Sequence, residues 1–212
     1  MDILSKLFGS SGIVKILRLF LFNPEEGFEP KDVTRRTKVD PDVVRNELAM
    51  LAKIGFLKRR SFYRTIEDLT RRRTQTETKK EPRRKRVMGW GLDEQFPYIK
   101  ELQTLLIGSA PVWSRDIIKR LKRAGNIKLV ITSGVFVGDL DSRLDIMVVG
   151  DNLRRPQLIS TIKDIEAELG RELRYALFST PDFKYRLGIY DKLVRDVLDY
   201  RHEKVIDRLG VL

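Results

Sequence analysis

Apolar residues recur at helical spacing at Ile13, Ile16, Leu17, Phe20 and Leu21, which predicts a helix capped by Ser10 or Ser11 and running to about Phe22. Lys15 and Arg18 interrupt this run, so it is too short and too charged to span a bilayer. Asn23-Pro24-Glu25-Glu26-Gly27 is a turn, and a short helix is predicted from Pro30 to Thr37. Asp40-Pro41 supplies an N-cap and a first-turn proline for a third helix. That helix runs to about Ile54, with Val44, Leu48 and Leu51 inward, and Gly55 ends it. Phe56-Leu57 opens a strand, and Val87 to Gly91 is a returning one. Further helices are expected from Phe96-Pro97-Tyr98 through Ile107, and from Pro111 to Ala124. From Asn126 the pattern alternates between short apolar runs and helical periods. Strands are predicted at Ile127–Ser133, Leu144–Val149, Glu172–Phe178 and Lys204–Asp207. Helices are predicted at Pro156–Leu169, from Thr180-Pro181-Asp182, and at Tyr190–Tyr200.

The chain has 212 residues, 42% hydrophobic and 34% charged, enough for one large domain or two small ones with real cores. It contains no cysteine, which excludes disulfides and thiolate metal sites and leads us to expect a reducing cytoplasm. The single His202 cannot build a histidine metal cluster, and no metal or other cofactor is expected. Met1-Asp-Ile-Leu-Ser-Lys lacks the basic-then-apolar order of a signal peptide, so a soluble protein without a membrane partner is expected.

Charge changes the picture more. The net charge is +12, and its excess is concentrated between Lys58 and Arg86. That segment holds Lys58, Arg59, Arg60, Arg64, Arg71, Arg72, Arg73, Lys79, Lys80, Arg83, Arg84, Lys85 and Arg86 against only Glu67, Asp68, Glu77 and Glu81. A focused basic patch points to a polyanionic partner, with nucleic acid first.

Three short helices followed by a strand and a basic hairpin is the order of a winged helix. The stretch from Val39 to Arg60, with Leu48, Leu51, Ile54, Gly55, Phe56 and Leu57 at their spacing, resembles the recognition helix and first wing strand of bacterial and archaeal winged-helix transcription regulators. The resemblance covers roughly residues 10 to 92. It implies that the third helix enters a major groove and presents Asp42, Arg45, Asn46 and Ala49 to base edges. Arg45 and Asn46 are suited to guanine and adenine. Arg35, Arg36 and Lys38 are expected on phosphates, and the wing is expected to supply most of the salt-dependent affinity. Asp40, Asp42 and Glu47 oppose phosphate, so the helix alone is a mediocre binder. Trp90 is expected to be a core or interdomain aromatic.

The remainder resembles the small nucleotidyltransferase-like domains of the polymerase-beta superfamily, in the group fused behind a winged helix. Phe96-Pro-Tyr-Ile-Lys-Glu-Leu102, Ile131 to Asp151, Glu168-Leu-Gly-Arg-Glu-Leu173 and Ser179-Thr-Pro-Asp-Phe-Lys-Tyr-Arg186 carry it. An active member has a Gly-Ser turn, an Asp-x-Asp strand and a later third acid, which together hold phosphate and two Mg²⁺. This chain departs at each point. The turn reads Ser133-Gly134, the paired acids read Arg143-Leu144-Asp145, the loop from Gly138 to Ser142 is short, and Arg174 stands where the third acid is expected. Glu172 would share a strand face with Arg174. Such a site repels two divalent ions rather than holding them. Ser133, Gly134, Gly138, Arg143, Asp145 and Arg174 therefore read as a vestigial pocket. It either binds an anionic small ligand through Arg143 and Arg174 or leaves Arg143 and Asp145 as a local surface ion pair. Asp139 and Asp141 could replace the lost acids only if their loop folds inward.

The expected architecture is α+β in two domains. A winged helix-turn-helix occupies residues 1–92, with its basic wing at 58–90. A small α/β nucleotidyltransferase-like domain with a mixed sheet follows at 93–212. The expected function is a transcriptional regulator binding double-stranded DNA, with a catalytically degenerate second domain for dimerisation or ligand sensing. A homodimer is expected from how winged-helix regulators read paired half-sites. The alternatives are an active nucleotidyltransferase acting on RNA or a protein, and an RNA-binding adaptor.

Overall fold

A computed structural model describes residues 3–65, 84–107, 120–121 and 124–210. Within them the chain is α+β, with eight α-helices and two sheets, one of them mixed. Helix α1 (Ile3–Leu7) is a short element that the apolar pattern does not announce. Helix α2 (Ser11–Phe22) starts where Ser10 Oγ accepts a hydrogen bond from the Gly12 amide at 3.0 Å. Helix α3 (Pro30–Thr37) opens on a capping box between Glu29 and Asp32. Helix α4 (Pro41–Lys53) is capped by the Asp40 carboxylate, which accepts from the Asp42 amide. Strands β1 (Leu57–Thr65) and β2 (Arg84–Leu92) then pair antiparallel, Leu57 opposite Leu92 and Thr65 opposite Arg84. Phe28 makes an isolated antiparallel bridge to Trp90, which ties the turn after α2 to the hairpin. The segment between β1 and β2, with Arg71, Arg72, Arg73 and Arg83, lies outside the described residues, as does most of the helix expected over Pro111–Ala124.

Helix α5 (Ile99–Ile107) buries Leu106 in the same core as α2, α4 and the base of the hairpin, and Phe96, Ile99 and Leu102 pack on it. The sequence reading grouped this helix with the C-terminal sheet, but its apolar face lies against α2.

The larger sheet has the order β5-β4-β3-β6, from β3 (Asn126–Thr132), β4 (Ile146–Asp151), β5 (Tyr175–Phe178) and β6 (Glu203–Asp207). The β4–β5 pair is parallel and the others antiparallel. Alternation along the central strands supplies two separate cores. Val130, Ile146 and Val148 face helix α6 (Arg155–Leu169), whose Leu158, Ile162 and Ile165 cover them. Leu129, Ile131, Met147 and Val149 face helices α7 (Thr180–Gly188) and α8 (Lys192–Asp199), through Phe183, Val194 and Val197. Two strands are shorter than the apolar pattern predicts. The strand expected over Glu172–Phe178 begins at Tyr175, because the Leu173 amide donates to the Glu166 carboxylate and the Arg174 amide to the Asp145 carboxylate, not to a ladder. The strand expected from Leu144 begins at Ile146, so Arg143 and Asp145 precede the ladder.

Helix α2 joins the two parts. Nine of its twelve residues are buried, because it packs against α1, α3, α4, α5, α6 and β2 at once. Arg18, 2% exposed, lies in the middle of it. Its Nε donates to Leu106 O of α5 at 3.0 Å, and its Nη1 to Glu168 O in the last turn of α6 at 3.3 Å. The last carbonyls of a helix lack intrahelical partners and carry the negative end of its dipole, so the guanidinium satisfies the end of α6 while it reaches across to α5. Asn23 Nδ2 adds hydrogen bonds to Leu19 O and Gly170 O, at 2.6 and 2.8 Å. Gly170 caps α6 with φ +77°, and a Cβ there would run into the backbone of Arg18 and Leu19. Among the described residues no helix is long and apolar enough to cross a membrane.

Replacing Arg18 with Met should destabilise the protein by about 2–4 kcal/mol, the cost of leaving two buried carbonyls without a charged donor. Gly170→Ala should cost about 2–4 kcal/mol through its left-handed backbone and the collision with α2. Urea unfolding curves measure both, and near-wild-type midpoints would remove the role given to this junction.

Candidate nucleic-acid interface and the Asp145 turn

Helix α4 buries Val44, Leu48 and Leu51 and exposes Asp42, Arg45, Asn46 and Ala49 on its other side. The capping acid Asp40 and first-turn Asp42 suit the positive end of this helix and oppose phosphate there. Asp42 also pairs with Arg45, one turn on. Asn46 and Ala49 share this exposed face with Val43 and Met50. Glu47 sits half-buried beside them, and desolvation raises its pKa.

The hairpin has two unlike faces. Arg60, Phe62 and Arg64 turn towards the segment from Pro24 to Asp32. Arg60 Nη1 donates to Pro24 O at 2.9 Å. The Phe62 ring fills the space above Gly27 and Gly89, where a Cβ would strike it. Arg64 Nη1 donates to Glu29 at 2.7 Å and its Nη2 to Asp32 at 3.0 Å. The Lys31 ammonium, reinforced by Arg64, holds the Glu29 carboxyl below its usual range, and hydrogen bonding to Glu29 raises Arg64. The opposite face carries Arg59, Ser61 and Tyr63 across from Trp90, Met88 and Arg86. Arg59 stacks on the Trp90 ring with its guanidinium carbon 4.0 Å from the centroid. Trp90 itself packs against the core cluster of α2 and α4.

Many candidate phosphate contacts are thus held by the protein. Arg35 pairs with Asp32 at 3.3 Å. Arg36 pairs with Glu26 at 3.3 Å and Glu172 at 3.8 Å and lies over the Phe28 ring, while Lys38 pairs with Asp164 of α6. Lys58 pairs with Asp93 at 3.0 Å, which lowers the Asp93 carboxyl below its usual range, with help from the Gln95 amide. Arg84, Lys85 and Arg86 are exposed, and none pairs with an acid among the described residues. Arg86 instead donates to Ser61 Oγ at 2.9 Å.

In the second half, five of the six residues read as a pocket come together in or against a closed turn, and only Arg143 stays outside it. Asp145 is fully buried. Its Oδ1 accepts from the Val135 amide at 3.0 Å, and its Oδ2 from the Arg174 amide at 2.8 Å and Arg174 Nε at 3.5 Å. Ser133 Oγ donates to Leu144 O at 2.6 Å. Gly134, at φ +57°, opens a 3-10 turn (Gly134–Val137), and a Cβ there would collide with Asp145 Oδ1. Gly138 closes that turn at φ +78°. The order Ser133-Gly134 therefore fits a turn wrapped on a carboxylate, with no room left for phosphate.

The surface ion pair considered for Arg143 and Asp145 does not form. Arg143 Nε binds Asp196 of α8 at 3.0 Å, because Asp145 points inward. Arg174, with Arg171, donates from Nη2 to Leu140 O, and Glu172 turns to Arg36. The open cleft of about 420 Å³ lies beside this turn, lined by Asp139, Asp141, Ser142, Arg143, Lys192, Asp196 and Tyr200. No local cue pointed to Lys192 and Asp196 of α8 or to Tyr200, which follows it, about fifty residues on. Tyr63 and Met88 were missed too, though strand alternation with Arg59 and Arg86 signals them. Among the described residues no group of three His, Cys, Asp or Glu side chains stands close enough to hold a metal ion. The residues present do not fit a two-metal centre. Comparisons with protein-family models, curated proteins and solved structures find no match.

Asp145→Ala strips the acceptor from two backbone amides in a sealed turn and should cost about 2–5 kcal/mol in urea unfolding. A cost near zero would mean that the turn is not built on this carboxylate. For Glu29, a depressed folded pKa means stability that is present above its unfolded value, near 4.5, and is lost as pH falls through the folded one. Glu29→Gln should therefore be less stable than wild type at pH 7, and the two should converge at the acid end of a thermal-melt series; a pH-independent gap would refute the linkage.

Proposed function

We propose that this chain is a regulator that binds double-stranded DNA through a winged helix formed by α2, α3, α4 and the β1–β2 hairpin. The observation that carries the reading is the exposure of Arg45 and Asn46 on α4 together with that of Arg84, Lys85 and Arg86 on the hairpin, whereas Arg35, Arg36, Lys38, Lys58, Arg60 and Arg64 are tied into ion pairs with neighbouring acids. The exposed groups are suited to base edges and to phosphates respectively. The C-terminal half is a catalytically degenerate nucleotidyltransferase-like domain, whose remaining family acid, Asp145, is consumed by the turn. Its role is to brace α2 and to offer a surface for a second copy or an anionic ligand near Arg143.

Replacing Arg84, Lys85 and Arg86 together by Ala should weaken duplex binding for all sequences alike and flatten the plot of log K against log salt by about 3, at roughly 0.9 per phosphate contact. Arg45→Ala or Asn46→Ala should instead relax preference at single positions of a site selected from a random DNA pool, each mismatch then costing less than the usual 1–3 kcal/mol. Unchanged affinity and salt slope in the triple variant would end the hairpin assignment. Incubation with labelled nucleoside triphosphates and Mg²⁺ or Mn²⁺ should transfer no label. Transfer that disappears in Asp145→Ala would favour a nucleotidyltransferase instead.

A further inference from the structure

The hairpin carries apolar and aromatic groups on the same outward face as its cations, and duplex backbone binding does not need them. Tyr63 is 72% exposed and Met88 57% exposed, although a strand side chain of either type is ordinarily turned to a core. The register sets them side by side, Tyr63 opposite Arg86 and Ser61 opposite Met88, with Arg59 on Trp90 next along and Arg84 towards the tip. The face is rigid from behind. Phe62 is wedged against Gly27 and Gly89, and the Trp90 backbone is bridged to Phe28 through two 2.8 Å hydrogen bonds. Arg86 is fixed alongside by its bond to Ser61 Oγ. The result is a row of flat or polarisable groups interleaved with guanidinium ions on a hairpin braced from behind.

We propose that this face binds an unpaired nucleic-acid strand, with Tyr63 stacking on a base, Met88 packing against its neighbour, and Arg84 and Arg86 on the phosphates between them. Stacking on exposed aromatic groups beside a cationic track is how single strands are held without reading sequence, and it requires bases freed from pairing. The charge favours a polyanion over an apolar protein surface. A lipid surface is disfavoured because the two apolar side chains are flanked by guanidinium groups and form no continuous apolar patch. The proposal rests on the hairpin being a nucleic-acid surface, and it adds the state of the nucleic acid it takes, such as a strand opened next to a duplex contacted by α4.

Fluorescence anisotropy of the full chain with a labelled oligothymidylate of about 20 nucleotides, and with a duplex of equal length, tests this. Tyr63→Ala should weaken oligothymidylate binding about tenfold and Met88→Ala by less, Tyr63→Phe should retain it, and duplex affinity should hold. Both side chains are exposed, so thermal melts of the variants should match wild type. Equal single-strand affinity for wild type and Tyr63→Ala overturns the proposal, as does a loss that falls equally on the duplex. Duplex binding without single-strand binding overturns it and leaves the DNA-binding reading standing, whereas binding to neither removes both. Vesicles of phosphatidylserine and phosphatidylcholine form the last arm: Tyr63-dependent binding to them, and not to oligothymidylate, overturns the proposal in favour of a membrane surface.

Discussion

The structure depends on the complete burial of α2. A helix of twelve residues cannot usually hide an arginine at its centre, since an isolated buried charge is far too costly. Arg18 is tolerated because its donors meet carbonyls of two other helices, Leu106 O of α5 and Glu168 O in the open last turn of α6. The same contacts hold α5 and the end of α6 against α2. Gly170 then allows α6 to come within backbone contact of Leu19, and Asn23 closes the corner. The N-terminal helices and the mixed sheet are thereby assembled around one shaft. A surface presented by α4 or the hairpin is held in a set orientation to the sheet, with Arg36 and Lys38 adding ion pairs to Glu172 and Asp164 across the same seam.

That use of charge bears on function. A strongly basic chain invites every cation to be assigned to a polyanion, yet surface ion pairs already occupy Arg35, Arg36, Lys38, Lys58, Arg60 and Arg64. Such pairs contribute little energy each and are screened by salt. An arriving phosphate can displace the acid from an exposed pair such as Lys58–Asp93, but doing so at Arg64 breaks a junction between the hairpin and α3. The cations split into a set that positions the hairpin and a set, Arg84, Lys85 and Arg86, that is exposed and held by no acid among the described residues, Arg84 and Arg86 on the outer face and Lys85 on the other.

The apolar periodicity made much of the fold legible. Ser10, Pro30 and Asp40-Pro41 place the starts of α2 to α4, and Gly170 the end of α6, because caps and left-handed glycines are local chemistry. Short α1 has no such pattern. Strand ends at Asp145 and Arg174 were misplaced because their backbone groups are satisfied by each other and by side chains far away in sequence, which alternation cannot register. Of the residues read as a pocket, Ser133, Gly134, Gly138, Asp145 and Arg174 do meet. Arg143 does not join them, since its partner Asp196 lies on a helix that no local spacing links to it.

Asp145 shows why motif position and chemistry separate. A carboxylate that binds a metal must keep its lone pairs directed at open space, and one that caps backbone amides must spend them. Here Val135 and Arg174 amides take both oxygens, Gly134 removes the last gap, and Arg143 turns away to Asp196. An acid placed at position 143 would not by itself make a metal site, because the inner carboxylate is already engaged and its release would unfasten the turn that joins β3 to β4. The cleft beside the turn, between Asp139 and Tyr200, takes Arg143 into its lining but not Asp145. Any ligand bound there would meet a mixed-charge surface, with Arg143 and Lys192 beside Asp139, Asp141 and Asp196.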